Sequence, residues 1–494
     1  MPSSNNQTTP LKREILVRII KAFLKEDFEE NVRLIPYEMR PKGCEVPFRC
    51  CVYKERAIIK DRTIAGLGIS IENDDEQTLL STYAKQALER EKPDENTLTV
   101  LEAACKGCVP SRVFVTNLCQ GCVARPCVGA CAFGAISIIK GKSVIDGKKC
   151  VGCMKCVKVC PYSAIVKIKV PCEDSCPVSA IAKDKNGNAK IDFVKCISCG
   201  KCVKACPFGA VHEKSQIIDV LQYIKSDKKV IAMIAPAIMG QLPCTPQQLH
   251  YAIKQTGFDE IYEVAQGADI TAKHEAEDFG ERMERGDEFM TTSCCAGYNE
   301  LVAKHLKEMK PFVSHTKTPL YYTAEIVEKE HPKAIKVFFS PCVAKRKEAQ
   351  LNPSIDYVIS FEELGALLIA MEIEVSTCKE LEFKNQASKE GREFALSGGV
   401  ARAVESLIEE DMIFKTHHIN GLTKESIREL KKYAKKGECS LGNLIEVMAC
   451  EGGCIAGNST MNSLKTAFKQ ISDYGEKTRL EKLILSQGLC KPVI

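Results

Sequence analysis

A chain of 494 residues is too long for one ordinary hydrophobic core, and at 45% hydrophobic and 27% charged it is expected to fold as two to four soluble domains. A formal net charge of +5 gives no basis for nucleic-acid binding, although clustered lysines can still steer an acidic protein partner. Cysteine stands apart, with 28 residues, many in Cys-x-x-Cys spacing. Met1–Pro10 carries no apolar leader, and no window approaches the ~18 apolar residues of a membrane span, so a secreted disulfide scaffold and a membrane protein are both set aside. Metal ligands in a reducing, anaerobic cytoplasm are the expected setting.

Residues 1–100 read as a region of unknown role. Apolar positions at helical spacing between residues 11 and 30 (Ile15, Ile19, Ile20, Phe23, Leu24) predict one amphipathic packing helix. Cys44, Cys50 and Cys51 follow in a spacing that fits no cluster motif. Residues 72–97, rich in Glu, Asp, Lys and Gln, predict a surface helix that ends in the loop Lys92–Asn96, with a domain boundary near residue 100.

Residues 101–215 predict a ferredoxin-like α+β domain. Cys150-x-x-Cys153-x-x-Cys156-x3-Cys160-Pro161 is the bacterial ferredoxin run, whose fourth cysteine ligates the other cluster of a pair. That crossover assigns one 4Fe-4S cluster to Cys119, Cys122, Cys127 and Cys160, and a second to Cys131, Cys150, Cys153 and Cys156. The pattern then repeats, giving a third cluster from Cys176, Cys196, Cys199 and Cys202. Cys105, Cys108, Cys172 and Cys206 are left over, either as a fourth cluster or as free thiols. Four near-identical endings, Ala-Phe-Gly-Ala-Ile136, Pro-Tyr-Ser-Ala-Ile165, Pro-Val-Ser-Ala-Ile181 and Pro-Phe-Gly-Ala-Val211, mark a duplicated unit. Structural zinc seldom uses this run with a trailing proline.

From residue 216 to 494, apolar strands (230–235, 336–339, 357–360) alternate with charged helices (300–308, 321–330, 362–369), the signature of an α/β domain with parallel sheets. Three cysteine stretches follow strands or open helices: Thr291-Thr-Ser-Cys-Cys-Ala-Gly-Tyr298, Ser340-Pro-Cys-Val-Ala-Lys-Arg-Lys-Glu348 and Glu446-Val-Met-Ala-Cys-Glu-Gly-Gly-Cys-Ile-Ala-Gly457. Four thiolates from three separated loops are enough to hold one buried iron–sulfur cluster, which leaves Cys294 unligated.

In order and spacing, these stretches resemble the three signature loops of the iron-only (FeFe) hydrogenases. The resemblance implies a two-lobed α/β catalytic domain with parallel sheets, and an H-cluster: a 4Fe-4S cube on Cys295, Cys342, Cys450 and Cys454, bridged to a two-iron subsite with CO, CN and a dithiolate amine. It further implies that Lys345 donates to a cyanide and that Ala235, Pro236, Ala237 and Met448 wall the pocket. A proton path would run from Cys294 through Glu275, Ser314 and Asp278 to Arg282 near the surface; Glu275, Asp278 and Arg282 stand at i, i+3 and i+7, where a salt-bridged helix face is the plain alternative. The activity so implied is reversible proton reduction to H2. Electrons would be exchanged with a ferredoxin-type carrier, in a monomer that depends on hydrogenase maturation proteins. Ala296, Ser340 and Leu320 depart from the usual proline, methionine and glutamine, which marks a divergent subgroup. A hydrogen-sensing or redox-regulatory protein with little turnover is the second reading.

Overall fold

The computed structural model describes residues 8–44, 49–72, 74–108, 112–383 and 386–486. Four helices open the chain: Thr8–Leu24, Phe28–Met39, Val52–Gly66 and Leu80–Glu89. The first buries Ile15, Ile19, Ile20 and Phe23 as their spacing predicts, but it stops at Leu24 instead of running to 30. Lys25, Glu26 and Asp27 form the corner, with Asp27 in the left-handed region (φ 56), and Phe23 meets Phe28 edge-on at 5.6 Å to fix the angle. Within 72–97 only Leu80–Glu89 is helical, because the Asp75 carboxylate accepts the amides of Gln77 and Thr78 and holds the segment before it in a turn.

That helix is not a surface one. Leu80, Tyr83, Ala84 and Ala87 are buried, and it packs on Phe28–Met39 and on Ile217–Ile224. The first helix lies along Phe361–Ala370, where Lys12 pairs with Glu362 at 2.6 Å. Lys12 and Glu362 are 350 residues apart in sequence, and the partners of Leu80–Glu89 also lie outside its local window, so local pattern could not reveal these contacts.

The cysteine-dense region is built from short antiparallel pairs. Arg112–Val115 joins Ile165–Ile168, Ile136–Ile139 joins Lys142–Ile145, and Ile181–Lys183 joins Ala189–Ile191. Leu98–Val100 joins Val211–Glu213, tying the two ends of the region together. The repeated endings have one geometry. Gly134, Ser163, Ser179 and Gly209 all take positive φ, between 49° and 58°. The turn this makes aims the next amide at a sulfur four residues back: Ala135 at Cys131 (3.3 Å), Ala164 at Cys160 (3.4 Å), Ala180 at Cys176 (3.2 Å) and Ala210 at Cys206 (3.3 Å). Glycine enters this conformation freely, and a short serine tolerates it.

Beyond residue 216 the chain forms two wholly parallel sheets. One runs in the order Glu260–Glu263, Val230–Ile234, Ile335–Ser340, Tyr357–Ser360; the other runs Met290–Thr291, Leu444–Met448, Thr416–Asn420. Val230–Ile234 and Ile335–Ser340 are buried along their whole length, as expected of parallel strands covered on both faces. The fold is therefore a ferredoxin-like α+β segment followed by a two-sheet α/β domain. All three cysteine loops leave the carboxyl ends of parallel strands, where such folds place their sites.

Arg346, 2% exposed, fixes the helix Ala344–Leu351 that carries one of these loops. Its guanidinium reaches the Glu363 carboxylate at 2.5 Å and the carbonyls of Lys214 and Val358 at 2.8 and 3.1 Å. Burial opposes charge on Glu363, yet Arg346, with donors from Ser215 and Ser360, holds that carboxyl below its usual range. Removing one partner of a buried pair strands the other. Arg346→Met is expected to destabilise the protein by ~3–5 kcal/mol in urea unfolding, with much of the loss recovered when Glu363→Gln is added; a single variant as stable as wild type contradicts this role.

Candidate active site and iron–sulfur sites

Every described cysteine is a free thiol. In the ferredoxin-like segment, Cys119, Cys122, Cys127 and Cys160 line one pocket, and Cys131, Cys150, Cys153 and Cys156 a second. The leftover cysteines also converge: Cys105, Cys108, Cys172 and Cys206 line a third. Their local geometry is that of the other sets. In the first Cys-x-x-Cys pair of each set that has one, the residue before the second cysteine takes positive φ, at Gly107 (55°) as at Gly121 (62°), Gly152 (69°) and Ser198 (52°). The Cys105 sulfur accepts the Ala189 amide at 3.4 Å.

In the remaining set, burial and then the charges of Cys196 and Cys176 push Cys199 up to about 12, and burial and the charges of Cys199, Cys196 and Cys176 push Cys202 well above an ordinary thiol. Cys172 also acts on Cys202, so two sets are neighbours. The Cys50 and Cys51 sulfurs stand 3.8 Å apart and belong to no set, and residues 45–48 beside them lie outside the described residues.

At the sheet ends, Cys295 closes the strand Met290–Thr291 loop and precedes the helix Ala296–His305; Cys342 precedes Ala344–Leu351; Cys450 and Cys454 follow Leu444–Met448. These four thiols share one site. Burial first, then Cys295, raises Cys342 to about 11; burial, Cys342 and Cys295 raise Cys454 to about 12; Cys450 is raised well above ordinary by burial and by the other three. Among the described residues no group of three or more His, Cys, Asp or Glu closes around a single metal ion. A cubane asks for a looser cage, since each thiolate binds a different iron, and four buried, mutually repelling thiols suit a polynuclear cationic core better than they suit each other.

Gly297 brings this cage against the ferredoxin-like segment: a Cβ there would lie 3.8 Å from the Cys199 Cβ and 3.2 Å from the Ala449 Cβ. Cys199 also acts on Cys450 electrostatically.

Beside the four thiols is a cavity of about 70 Å³ walled by Ala235, Pro236, Ala237, Leu320 and Met448, with Cys294, Cys454 and Lys345 facing it. Although burial opposes its charge, Glu348 at 2.5 Å and the nearby Cys342 and Cys454 raise Lys345 above its usual value, so it stays cationic. Glu348, which the sequence reading passed over, also accepts from Thr318 at 2.5 Å. Cys294 keeps its accessible surface toward this cavity, and burial together with Cys295, Glu446 and Cys454 keeps it protonated well above the ordinary range.

Glu275, Asp278 and Arg282 lie along the helix Val264–Glu284. Glu275 is 0% exposed; one oxygen accepts from the Ser293 amide (3.3 Å) and hydroxyl (3.4 Å), and the other has no partner among the described residues. Burial raises its pKa to about 7, against the pull of donors at Ser314 and Ser293. Asp278 accepts from Arg282 Nε and the His315 amide at 2.9 Å each, and these donors together with Ser314 hold its carboxyl below the usual range although burial opposes its charge. One expectation fails here. Arg282 is not near the surface but 1% exposed, donating to the carbonyls of Pro311 and Val313. The group that reaches water is His315, with its side chain 78% exposed and Nδ1 3.2 Å from Arg282. His315 and Ser293 both flank residues picked out from sequence, but nothing in their spacing signalled a role.

Residues 228–458 match the model described as "Iron only hydrogenase large subunit, C-terminal domain". That segment is of the iron-only hydrogenase family. Ahead of it, residues 166–217 match an LdpA Fe-S cluster-binding domain and 142–165 a 4Fe-4S binding domain. Iron hydrogenase 1 of Clostridium pasteurianum is 27% identical over 300 residues, covering 50% of this chain and 52% of that protein. The NADP-reducing hydrogenase subunit HndD of Solidesulfovibrio fructosivorans is 26% identical over 308 residues, covering 50% and 52%. The chain thus spans about half the length of these curated relatives. A solved FeFe-hydrogenase from Chlamydomonas reinhardtii gives a loose superposition, with TM-score 0.43 at 20% identity over 53% of this chain and 88% of that one.

Two expectations follow from this iron-only hydrogenase site. Cys172→Ala is expected to lower bound iron by about four atoms per chain, while Cys439→Ala, in no set, leaves iron content unchanged; equal iron in both variants contradicts the fourth thiol set. Glu275, with a folded-state pKa of about 7 against an ordinary 4.5, costs stability as pH rises from 4.5 through 7 and none below that window. The Tm of Glu275→Gln should therefore exceed that of wild type above pH 7 and converge on it near pH 5; a pH-independent difference contradicts the buried acid.

Proposed function

We propose that the chain is an FeFe hydrogenase that reversibly reduces protons to H2, with electrons exchanged with a ferredoxin-type carrier through 4Fe-4S clusters. The observation that carries this reading is the company Cys294 keeps. A thiol outside the four-cysteine cage faces the same cavity as Cys454 and Lys345, and is backed by a buried acid.

Residues 216–494 would form the H-cluster domain, 101–215 the cluster relay, and 1–100 a helical region packed against both. Cys295, Cys342, Cys450 and Cys454 would hold the H-cluster cube. When bound, the cofactor supplies an electron-rich metal with an open position for H2. Lys345 presents a fixed cation toward its anionic ligands, a charge-assisted contact in a dry site. Ala235, Pro236, Ala237 and Met448 exclude water around it.

Cys294 holds the proton next to the reaction space and passes it to Glu275, whose pKa of about 7 suits both uptake and release near neutrality. Ser314, Asp278 and Arg282 continue the line, and His315 opens it to solvent. For electrons, the electrostatic pairs Cys172 with Cys202 and Cys199 with Cys450 support a path from the fourth set through the third to the cage. Four accessory clusters, assembly by hydrogenase maturation proteins and a monomeric cytoplasmic enzyme complete the proposal.

The test is H2 evolution from reduced ferredoxin by protein carrying its two-iron subsite, with infrared bands of metal-bound CO and CN. Cys294→Ala is expected to keep those bands and the iron content while losing turnover by about 10²–10⁴-fold, the span of a lost proton-transfer group. Matured protein with neither bands nor H2 overturns the reading.

A further inference from the structure

Away from the catalytic cavity lies a larger space of about 550 Å³, open toward solvent, between the first helix, the strand Val211–Glu213 and the loop that follows Cys454. Four cationic side chains line it: Lys12, Arg13, Arg62 and Lys204. One carboxylate, Glu362, faces them, and Glu213 reaches Lys12 from behind at 3.8 Å. Glu362 is shared between Lys12 and Arg13. Arg62 and Lys204 have no carboxylate within ion-pair distance among the described residues. Arg62, 4% exposed, spends its guanidinium on the carbonyls of Phe208 and Gly209, and Lys204 donates to Ala456 O at 3.1 Å. A buried cation such as Arg62 with no carboxylate at ion-pair distance is costly unless an anion joins it.

His212 sharpens the chemistry. It is 6% exposed and lines the same space, and its Nε2 has no partner among the described residues. Its Nδ1 lies 3.2 Å from the Glu213 carbonyl, which can only accept, so the proton sits on Nδ1 and Nε2 presents a lone pair to the cavity. Beside several cations the space thus offers an acceptor.

We propose that this space is a binding site for inorganic hydrogen phosphate. Such a group accepts from Arg62, Lys204 and Arg13 and donates its P–OH to His212 Nε2. Sulfate carries the same charge but has no proton to donate at neutral pH, so the site should discriminate between them. Nothing in this assignment depends on the hydrogenase reading.

The experiment is calorimetric titration of anaerobically purified, cluster-loaded full-length protein with inorganic phosphate, glycerol 3-phosphate and sulfate at pH 7.5. One phosphate per chain is expected, with sulfate and glycerol 3-phosphate, which at this pH is a dianion without P–OH, each at least about tenfold weaker; equal binding of all three overturns the assignment. Lys204→Met is expected to weaken phosphate by about tenfold or more, the scale of one charge-assisted hydrogen bond. His212→Phe is expected to erase the preference over sulfate. Each variant is accepted only with wild-type iron content, and Arg33→Gln, far from the cavity, serves as a control. The proposal is overturned if wild type shows no saturable binding of inorganic phosphate, or if both cavity variants bind it as wild type does.

Discussion

The structure turns on four thiols crowded into one half-buried cage. Cys295, Cys342, Cys450 and Cys454 come from three loops at the ends of parallel strands; on top of burial, Cys295 raises Cys342, and Cys295 and Cys342 raise Cys450 and Cys454. A site of this kind is held together by the fold, not by its own side chains. Rigid, fully buried strands and the Arg346–Glu363 pair supply the restraint. Only a cationic iron–sulfur core, by displacing the thiol protons, turns the crowding into binding energy.

The same constraint explains the placement of charge around the cage. Lys345 stays charged because Glu348 sits at 2.5 Å; Glu275 has no cation in hydrogen-bond contact and drifts up to about 7. A fixed cation and a poised acid therefore coexist within one apolar surround, distinguished by a single nearby carboxylate. Asp278 shows the opposite tuning: burial opposes its charge, but Arg282 and the His315 amide hold it below the ordinary range.

What the sequence revealed and what it hid follow from range. Cysteine runs, their crossover and the repeated small-residue turns are local, and the positive φ of Gly134, Ser163, Ser179 and Gly209 is written in the residues themselves. The strands 230–234, 335–340 and 357–360 were legible from unbroken apolar runs. The helix at 80–89 was misread as exposed, because its partners Phe28–Met39 and Ile217–Ile224 are remote in the chain. Arg282 was placed near the surface by the family resemblance, whereas three acceptors, the Asp278 carboxylate and two backbone carbonyls, let it stay buried. His315 and the cation-lined space at His212 depend on which loops meet, and spacing carries no trace of that.

The most direct measurement is anomalous diffraction at the iron edge from crystals of anaerobically prepared protein. The account predicts a compact iron peak enclosed by the sulfurs of Cys295, Cys342, Cys450 and Cys454, with the Cys294 sulfur outside the coordination sphere. Iron absent from that cage, or Cys294 bound in place of one of the four, would contradict it.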